Sequence, residues 1–147
     1  MIDTLRHHFE GELGLPPSAI DWLLDLWRVI QVFDDAADGD AIEPADARVA
    51  TWAALVSLPG NAFFCANAAA LQPALATAVL KWFAANEAEL DGRADERSYM
   101  WRAGYYDVVL LVVLLCHGRV EAERLASSVM QMYGEPFADY CKEFPCA

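Results

Sequence analysis

Four aspartates lie within seven residues near position 38 and are the side chains in this sequence best suited to chemistry. They are Asp34, Asp35, Asp38 and Asp40. The string lies where an amphipathic helix that begins near Ser18 is predicted to end, before Gly39. Carboxylates at that position face the negative end of the helix dipole and repel one another. A divalent cation that prefers hard oxygen ligands, Mg²⁺ or Mn²⁺, would compensate this cost.

The position of each aspartate around the predicted helix separates inward from outward side chains. Asp34 continues the apolar line of Leu23 and Ile30, and Asp38 lies beside it one turn later. Asp107 is a third acid on an apolar stripe, because it precedes a run of valines and leucines in a later helix. An ionised carboxylate on such a face needs a partner or a metal. Asp34, Asp38 and Asp107 are therefore the candidate metal ligands.

The same acids also have an ordinary structural interpretation. Asp107 would pair with Arg102, Arg28 or Tyr99, and the aspartate string would be a solvated helix end. The two interpretations differ in whether the carboxylates converge on a cavity. The sequence leaves both open, and with them the question of whether the chain is an enzyme.

The string Asp34-Asp35-Ala36-Ala37-Asp38 resembles the D-D-x-x-D motif of all-α isoprenoid synthases. The resemblance implies Mg²⁺ and a prenyl diphosphate as ligands. It covers five residues, and the chain has neither a second aspartate-rich helix nor the length of those enzymes. The hypothesis is therefore a metal-dependent site for a diphosphate or nucleotide, with Asp34 and Asp38 as ligands and Asp107 as a third ligand or general base.

The acidic residues are concentrated at the start of the chain. The 147 residues include 22 acidic and 10 basic side chains, a formal net charge of -12. Residues 1–46 alone hold eleven acidic and two basic side chains, a net charge of -9. This charge disfavours nucleic acids and anionic membranes as direct partners. It favours a basic protein partner, because electrostatic steering speeds their encounter.

A polar stripe on the first long helix is the candidate surface for that partner. Asp21, Asp25 and Asp35 fall together on a helical wheel, and Asp40 follows the end of the helix. Trp22 lies beside the stripe, and an aromatic side chain within an acidic surface is typical of a binding hot spot. The leading hypothesis is therefore a non-enzymatic binding or accessory module whose acidic first third docks a basic partner.

The elements that must position these residues are predicted to be helices. Ala, Leu, Glu and Arg are abundant, 56% of the residues are apolar, and no segment shows a sustained alternation of β-branched residues. The sequence predicts a single all-α domain over residues 1–147, a bundle of about five to six helices, with mobile ends at 1–15 and 134–147. The helices are predicted at about 18–38, 46–58, 62–71, 73–90, 94–117 and 120–133.

Several features of the sequence bear on compartment and assembly. The N-terminus has no secretory signal pattern, and the longest apolar run, Val108 to Cys116, is too short to span a bilayer. Four irregularly spaced cysteines do not make a disulfide framework. These observations predict a cytoplasmic protein with reduced thiols. The apolar excess also allows a symmetric homo-oligomer, a third alternative to the metal site and the binding module.

Overall fold

The computed structural model describes residues 1–146, and within that range every regular element is a helix. The predicted all-α class is confirmed, whereas the helices outnumber the five to six expected from the sequence. The chain divides into two compact units, the first comprising residues 1–68 and the second beginning at Ala69. That the whole chain forms one domain stays a prediction.

The first unit combines short and long helices with π-helical turns. Helix α1 spans Ile2–His7 and continues as a π-helical turn, His8–Glu12; α2 spans Pro17–Asp38; α3 spans Pro44–Trp52 and continues as a second π-helical turn, Ala53–Ser57; α4 is the single turn Leu58–Gly60. Residues 1–15, predicted to be a mobile end, pack into this unit. Their buried side chains are Leu5, Phe9, Leu13 and Leu15.

Helix α2 supplies much of the first unit's core. It begins with Pro17 at a position where the missing amide hydrogen costs nothing, and its buried side chains extend from Ala19 to Val29. It ends at Asp38 as predicted, because Gly39 adopts a left-handed φ of 76° that glycine tolerates best. The amides of Gly39 and of the next residue then donate back to carbonyls of the last turn.

The second unit contains most of α5 and the helices that follow it. Helix α5 spans Ala62–Leu90, α6 spans Glu96–Trp101, α7 spans Gly104–His117, α8 spans Arg119–Met130 and α9 spans Phe137–Glu143. Helix α7 packs against α8, and α6 contacts α9. Tyr140 of α9 is fully buried, although it lies in the segment predicted to be a mobile tail.

Helix α5 joins two helices that the sequence predicted separately, 62–71 and 73–90. Pro73 lies inside it, and the interruption falls instead at Asn67, whose φ of -125° and ψ of 15° are not helical. The side-chain amide of Asn67 donates to the carbonyl of Phe63 at 2.9 Å and provides a local hydrogen bond at the break. By length and composition α5 is apolar enough to cross a membrane, and 6% of its most apolar 18-residue stretch is buried.

The helix predicted at 94–117 is interrupted after Trp101. Ala103 adopts φ -87° and ψ 17°, outside helical geometry, and Gly104 then begins α7. A Cβ at Gly104 would lie 3.1 Å from the Cβ and 3.2 Å from the Cα of Ala78 in α5. The interruption therefore brings the start of α7 into close contact with the α5 backbone.

Replacing Gly104 with alanine is expected to lower the free energy of unfolding by about 1–3 kcal/mol, because the atoms that must yield include backbone. Urea denaturation followed by circular dichroism would measure the change. Gly11→Ala is the matched control, since a Cβ at Gly11 meets nothing within 4 Å, and alanine is favoured over glycine in a helical turn. An unchanged unfolding midpoint for Gly104→Ala would contradict the close contact.

Candidate functional site

An open apolar groove lies on the first unit. It has a volume of about 690 Å³ and is lined by side chains from residues 47–57 together with Asp25 of α2. Four large apolar side chains along it are exposed to solvent: Val49, Trp52, Leu55 and Val56. Trp52 is the largest, and 65% of its surface is accessible. The groove is therefore open and apolar, which suits the binding of another molecule.

The groove exists because α3 and its π-helical turn bury small side chains and expose large ones. Ala50 and Ala53 are buried, and α3 packs against α2. Val49, Trp52 and Val56 follow an i, i+3, i+7 spacing and so share a different face. The hydrophobic pattern of the sequence did not predict this face as a surface site. The sequence feature that could have indicated it is the pair Ala50 and Ala53, because small side chains three residues apart mark the side of a helix that packs closely against another.

The π-helical turn Ala53–Ser57 forms one end of the groove. Pro59 follows it and lacks the amide hydrogen that an α-helix would direct to the carbonyl of Leu55. This absence favours a change of hydrogen-bonding register just before the proline. The widened turn carries both Leu55 and Val56 with their side chains exposed.

The apolar groove belongs to a strongly acidic unit. Residues 1–68 hold eleven acidic and three basic side chains, a net charge of -8. Asp25 lines the groove and accepts a hydrogen bond from Nη1 of Arg28 at 2.8 Å, and Arg48 of α3 is a basic residue of the lining. Asp21 lies one turn before Asp25 and is exposed. A molecule that enters the groove therefore meets apolar walls within a negative environment.

The residues predicted to bind a partner occupy different environments. Asp21 and Asp40 are exposed, Asp35 is half-buried and Asp25 lines the groove. Trp22 is only 1% exposed and stacks on Phe64, with ring centres 5.7 Å apart. The prediction that Trp22 lies in an accessible surface is therefore wrong. Its position about 100° from Asp21 around the helix is enough to turn it into the core.

Neither unit brings the three candidate metal ligands together. Asp34 and Asp38 lie in the last turns of α2 in the first unit, where Asp34 is half-buried and Asp38 is exposed, whereas Asp107 belongs to the second unit. Among residues 1–146, no group of three or more His, Cys, Asp or Glu side chains is arranged to hold a metal ion. A Mg²⁺ or Mn²⁺ site at these aspartates stays a prediction from the sequence.

Asp107 has a different environment from the one expected. Its side chain is 50% exposed, and Oδ2 accepts a hydrogen bond from Nζ of Lys81 at 2.5 Å. Because the chain leaves helical geometry at Ala103, Asp107 lies in the first turn of a new helix, where the helix dipole favours an acid. The prediction that it points inward is wrong, and its partner is Lys81 rather than any of the three residues expected.

Glu89 and Arg102 form a buried ion pair in the second unit. The two side chains are 4% and 12% exposed, and Nη1 of Arg102 donates to Oε1 of Glu89 at 2.7 Å. The hydroxyl of Tyr140 donates to Oε2 of Glu89 at 2.9 Å and lies 2.6 Å from Oγ of Ser98. These side chains of α5, α6 and α9 and of the residue after α6 satisfy one another's hydrogen-bonding groups. Such an arrangement is expected of a structural network.

Burial raises the pKa of every tyrosine in the chain above its ordinary value. They are Tyr99, Tyr105, Tyr106, Tyr133 and Tyr140, and the pKa of Tyr140 rises to about 12. The unfolded chain loses these protons at a lower pH than the folded chain. Their contribution to stability is therefore complete below about pH 10 and is lost as the pH rises further.

A spectrophotometric titration would test this pH dependence. We expect the tyrosines of the folded protein to ionise at a higher pH than those of the unfolded chain, and the urea unfolding midpoint to fall once the pH exceeds about 10. Tyrosinate absorbance should appear together with the loss of the circular dichroism signal of the helices. Ionisation of most tyrosines near their ordinary pKa, with the helices intact, would contradict the prediction.

Comparisons of the chain with protein-family models, curated proteins and solved structures gave no match. The buried ion pair satisfies its own polar groups, whereas the groove beside Trp52 presents apolar surface to solvent. The groove is the better candidate for a binding site.

Proposed function

We propose that the first unit is a binding module whose groove receives a basic amphipathic helix of a partner protein. The observation that carries the proposal is the exposed stripe of Val49, Trp52 and Val56 in a unit with a net charge of -8. Amphipathic helices dock into such grooves through apolar anchors spaced about one turn apart. The partner's apolar face would cover the stripe, and its Lys and Arg side chains would face the acidic surroundings.

Charge complementarity favours a basic partner over a second copy of this chain. Two copies would bring together surfaces that each belong to a unit of net charge -8, and like charges across an interface oppose binding. A basic helix is attracted by the same charge, which also accelerates its encounter at low ionic strength. Acidic side chains close to the groove in sequence come from both α2 and the start of α3. They are Asp21, Asp25, Glu43 and Asp46.

A synthetic amphipathic helix of leucine and lysine is the probe that tests the proposal. Calorimetry would compare it with a leucine–glutamate peptide of the same length and the same apolar face. We expect the lysine peptide to bind the full chain with a micromolar Kd and to bind more weakly as the salt concentration rises. The glutamate peptide should not bind.

Three outcomes would overturn the assignment of the occupant. Equal binding of both peptides would show that charge has no role, and absence of binding by the lysine peptide would remove the partner chemistry proposed. A stable dimer of this chain that dissociates when Trp52 is replaced would assign the groove to a second copy. Light scattering at several protein concentrations measures that oligomeric state directly.

A further inference from the structure

Two thiols lie close together at the end of the described chain. Cys141 belongs to α9 and Cys146 to the non-helical segment that follows, and their Sγ atoms are 2.6 Å apart. Sulfur atoms joined in a disulfide are about 2.05 Å apart, so a small movement would bring these two to bonding distance. Both side chains are half-buried and therefore partly accessible to reagents.

The segment that carries Cys146 also covers the buried ion pair of the second unit. The ring of Phe144 lies 5.3 Å from that of Tyr140, and its centre is 5.8 Å from the guanidinium carbon of Arg102. The thiol of Cys146 donates to the carbonyl of Phe144 at 3.4 Å. Because Phe144 lies between the two cysteines in sequence, a bond between them would hold this ring in place.

We propose that Cys141 and Cys146 form a reversible disulfide that ties the C-terminal segment to α9. The oxidant is a low-molecular-weight disulfide. The Cys141 thiolate attacks one sulfur of that molecule, forms a mixed disulfide and releases the first small thiolate. Cys146 then loses its proton to solvent, attacks the sulfur of Cys141 and releases the second small thiolate. The protein loses two hydrogens and two electrons, and the small disulfide is reduced to two thiols.

The surroundings of Cys146 disfavour its thiolate form. The hydrogen bond with Cys141 and partial burial raise the pKa of the Cys146 thiol to about 11, and the charges of Asp95 and Glu96 act in the same direction. Cys146 is therefore protonated at neutral pH, so the second step requires the loss of its proton. Ring closure should accelerate as the pH rises, because a larger fraction of Cys146 becomes thiolate.

Trypsin provides a direct assay, because Lys142 lies between the two cysteines in the sequence. The full-length protein would be incubated with oxidised glutathione, quenched with acid and an alkylating agent, and digested. We expect peptide 125–142 joined to peptide 143–147, with a mass two hydrogens below the sum of the two, and we expect reduction to separate them. The Cys65→Ser/Cys116→Ser variant should give the same linked pair.

The single variant Cys146→Ser separates disulfide formation from other oxidation of Cys141. It should accumulate the mixed disulfide of Cys141 with glutathione, which in the wild-type protein is consumed by ring closure. Glutathione retained on both cysteines of the wild-type protein would overturn the proposal. Linkage of either cysteine to Cys65, to Cys116 or to a second chain would do so as well.

Hydrogen exchange tests the structural consequence. Oxidation should slow amide exchange in residues 143–146 and raise Tm by a few degrees, since the disulfide removes conformations of the unfolded chain. The Cys146→Ser variant, treated in the same way, should show neither change. A disulfide that forms without slowing exchange in this segment would refute its role as a tether.

Discussion

Replacing Trp52 with serine is expected to weaken binding of the leucine–lysine peptide by about tenfold or more. Trp52 is the largest exposed side chain of the groove, so it has the most apolar surface to bury on binding. Tryptophan is enriched among interface residues whose truncation costs more than 1 kcal/mol, and about 1.4 kcal/mol corresponds to a tenfold change in Kd. Calorimetry with the same peptide measures the loss.

Phe83→Ser is the matched control for this variant. Phe83 is an exposed aromatic residue of the second unit, in α5, so its removal reduces exposed apolar surface without changing the groove. We expect its Kd to equal that of the unaltered chain. An equal loss of peptide affinity in the two variants would indicate that the peptide adheres to any exposed apolar surface, and it would contradict a binding site at the groove. The unfolding midpoint of Trp52→Ser should stay unchanged, because the side chain it removes is exposed.

The sequence alone predicts the end of a helix correctly where the residues at that end carry a strong local signal. Helix α2 ends at Asp38 because Gly39 supplies a left-handed residue, and this requires no knowledge of the rest of the fold. The interruption between α6 and α7 is different, since it coincides with the approach of Gly104 to Ala78, a residue far away in the sequence. Local periodicity cannot indicate a contact of that kind, and the position of Asp107 was mispredicted as a result.

The two tryptophans Trp22 and Trp52 show the same limit at the candidate site. Composition identifies both as strong apolar anchors, but their exposure depends on which face of each helix meets the core. The first half of α2 turns Trp22 and its neighbouring leucines inward, whereas α3 packs through Ala50 and leaves Val49 and Trp52 outside. A hydrophobic pattern identifies an apolar face, but tertiary packing decides whether that face is covered.

The ion pair between Glu89 and Arg102 was also beyond sequence reasoning. Glu89 lies near the end of α5 and Arg102 just after α6. The local sequence around each of them predicts an exposed charged side chain. Their burial follows from the packing of α9, whose Tyr140 hydroxyl reaches the Glu89 carboxylate. The pair therefore depends on three segments that no local pattern connects.

Replacing Arg102 with methionine is expected to destabilise the protein by about 3–5 kcal/mol, because a buried carboxylate would lose its cation. Glu89 is only 4% exposed, so water cannot easily replace the guanidinium. The hydrogen bond from Tyr140 would remain but would not neutralise the charge. Urea denaturation measures the change in the free energy of unfolding. Arg119→Met is the matched control, since Arg119 pairs with Glu123 at an exposed position and its loss should not measurably change stability.

The double variant Glu89→Leu/Arg102→Met tests the electrostatic cause. Removing both charges leaves no uncompensated carboxylate, so this variant should be more stable than Arg102→Met alone despite having one more substitution. The Tyr140 hydroxyl would still have Oγ of Ser98 within 2.6 Å, so the change does not strand that polar group. If the double variant proved as unstable as the single one, lost packing around Arg102 rather than an unpaired charge would explain the destabilisation.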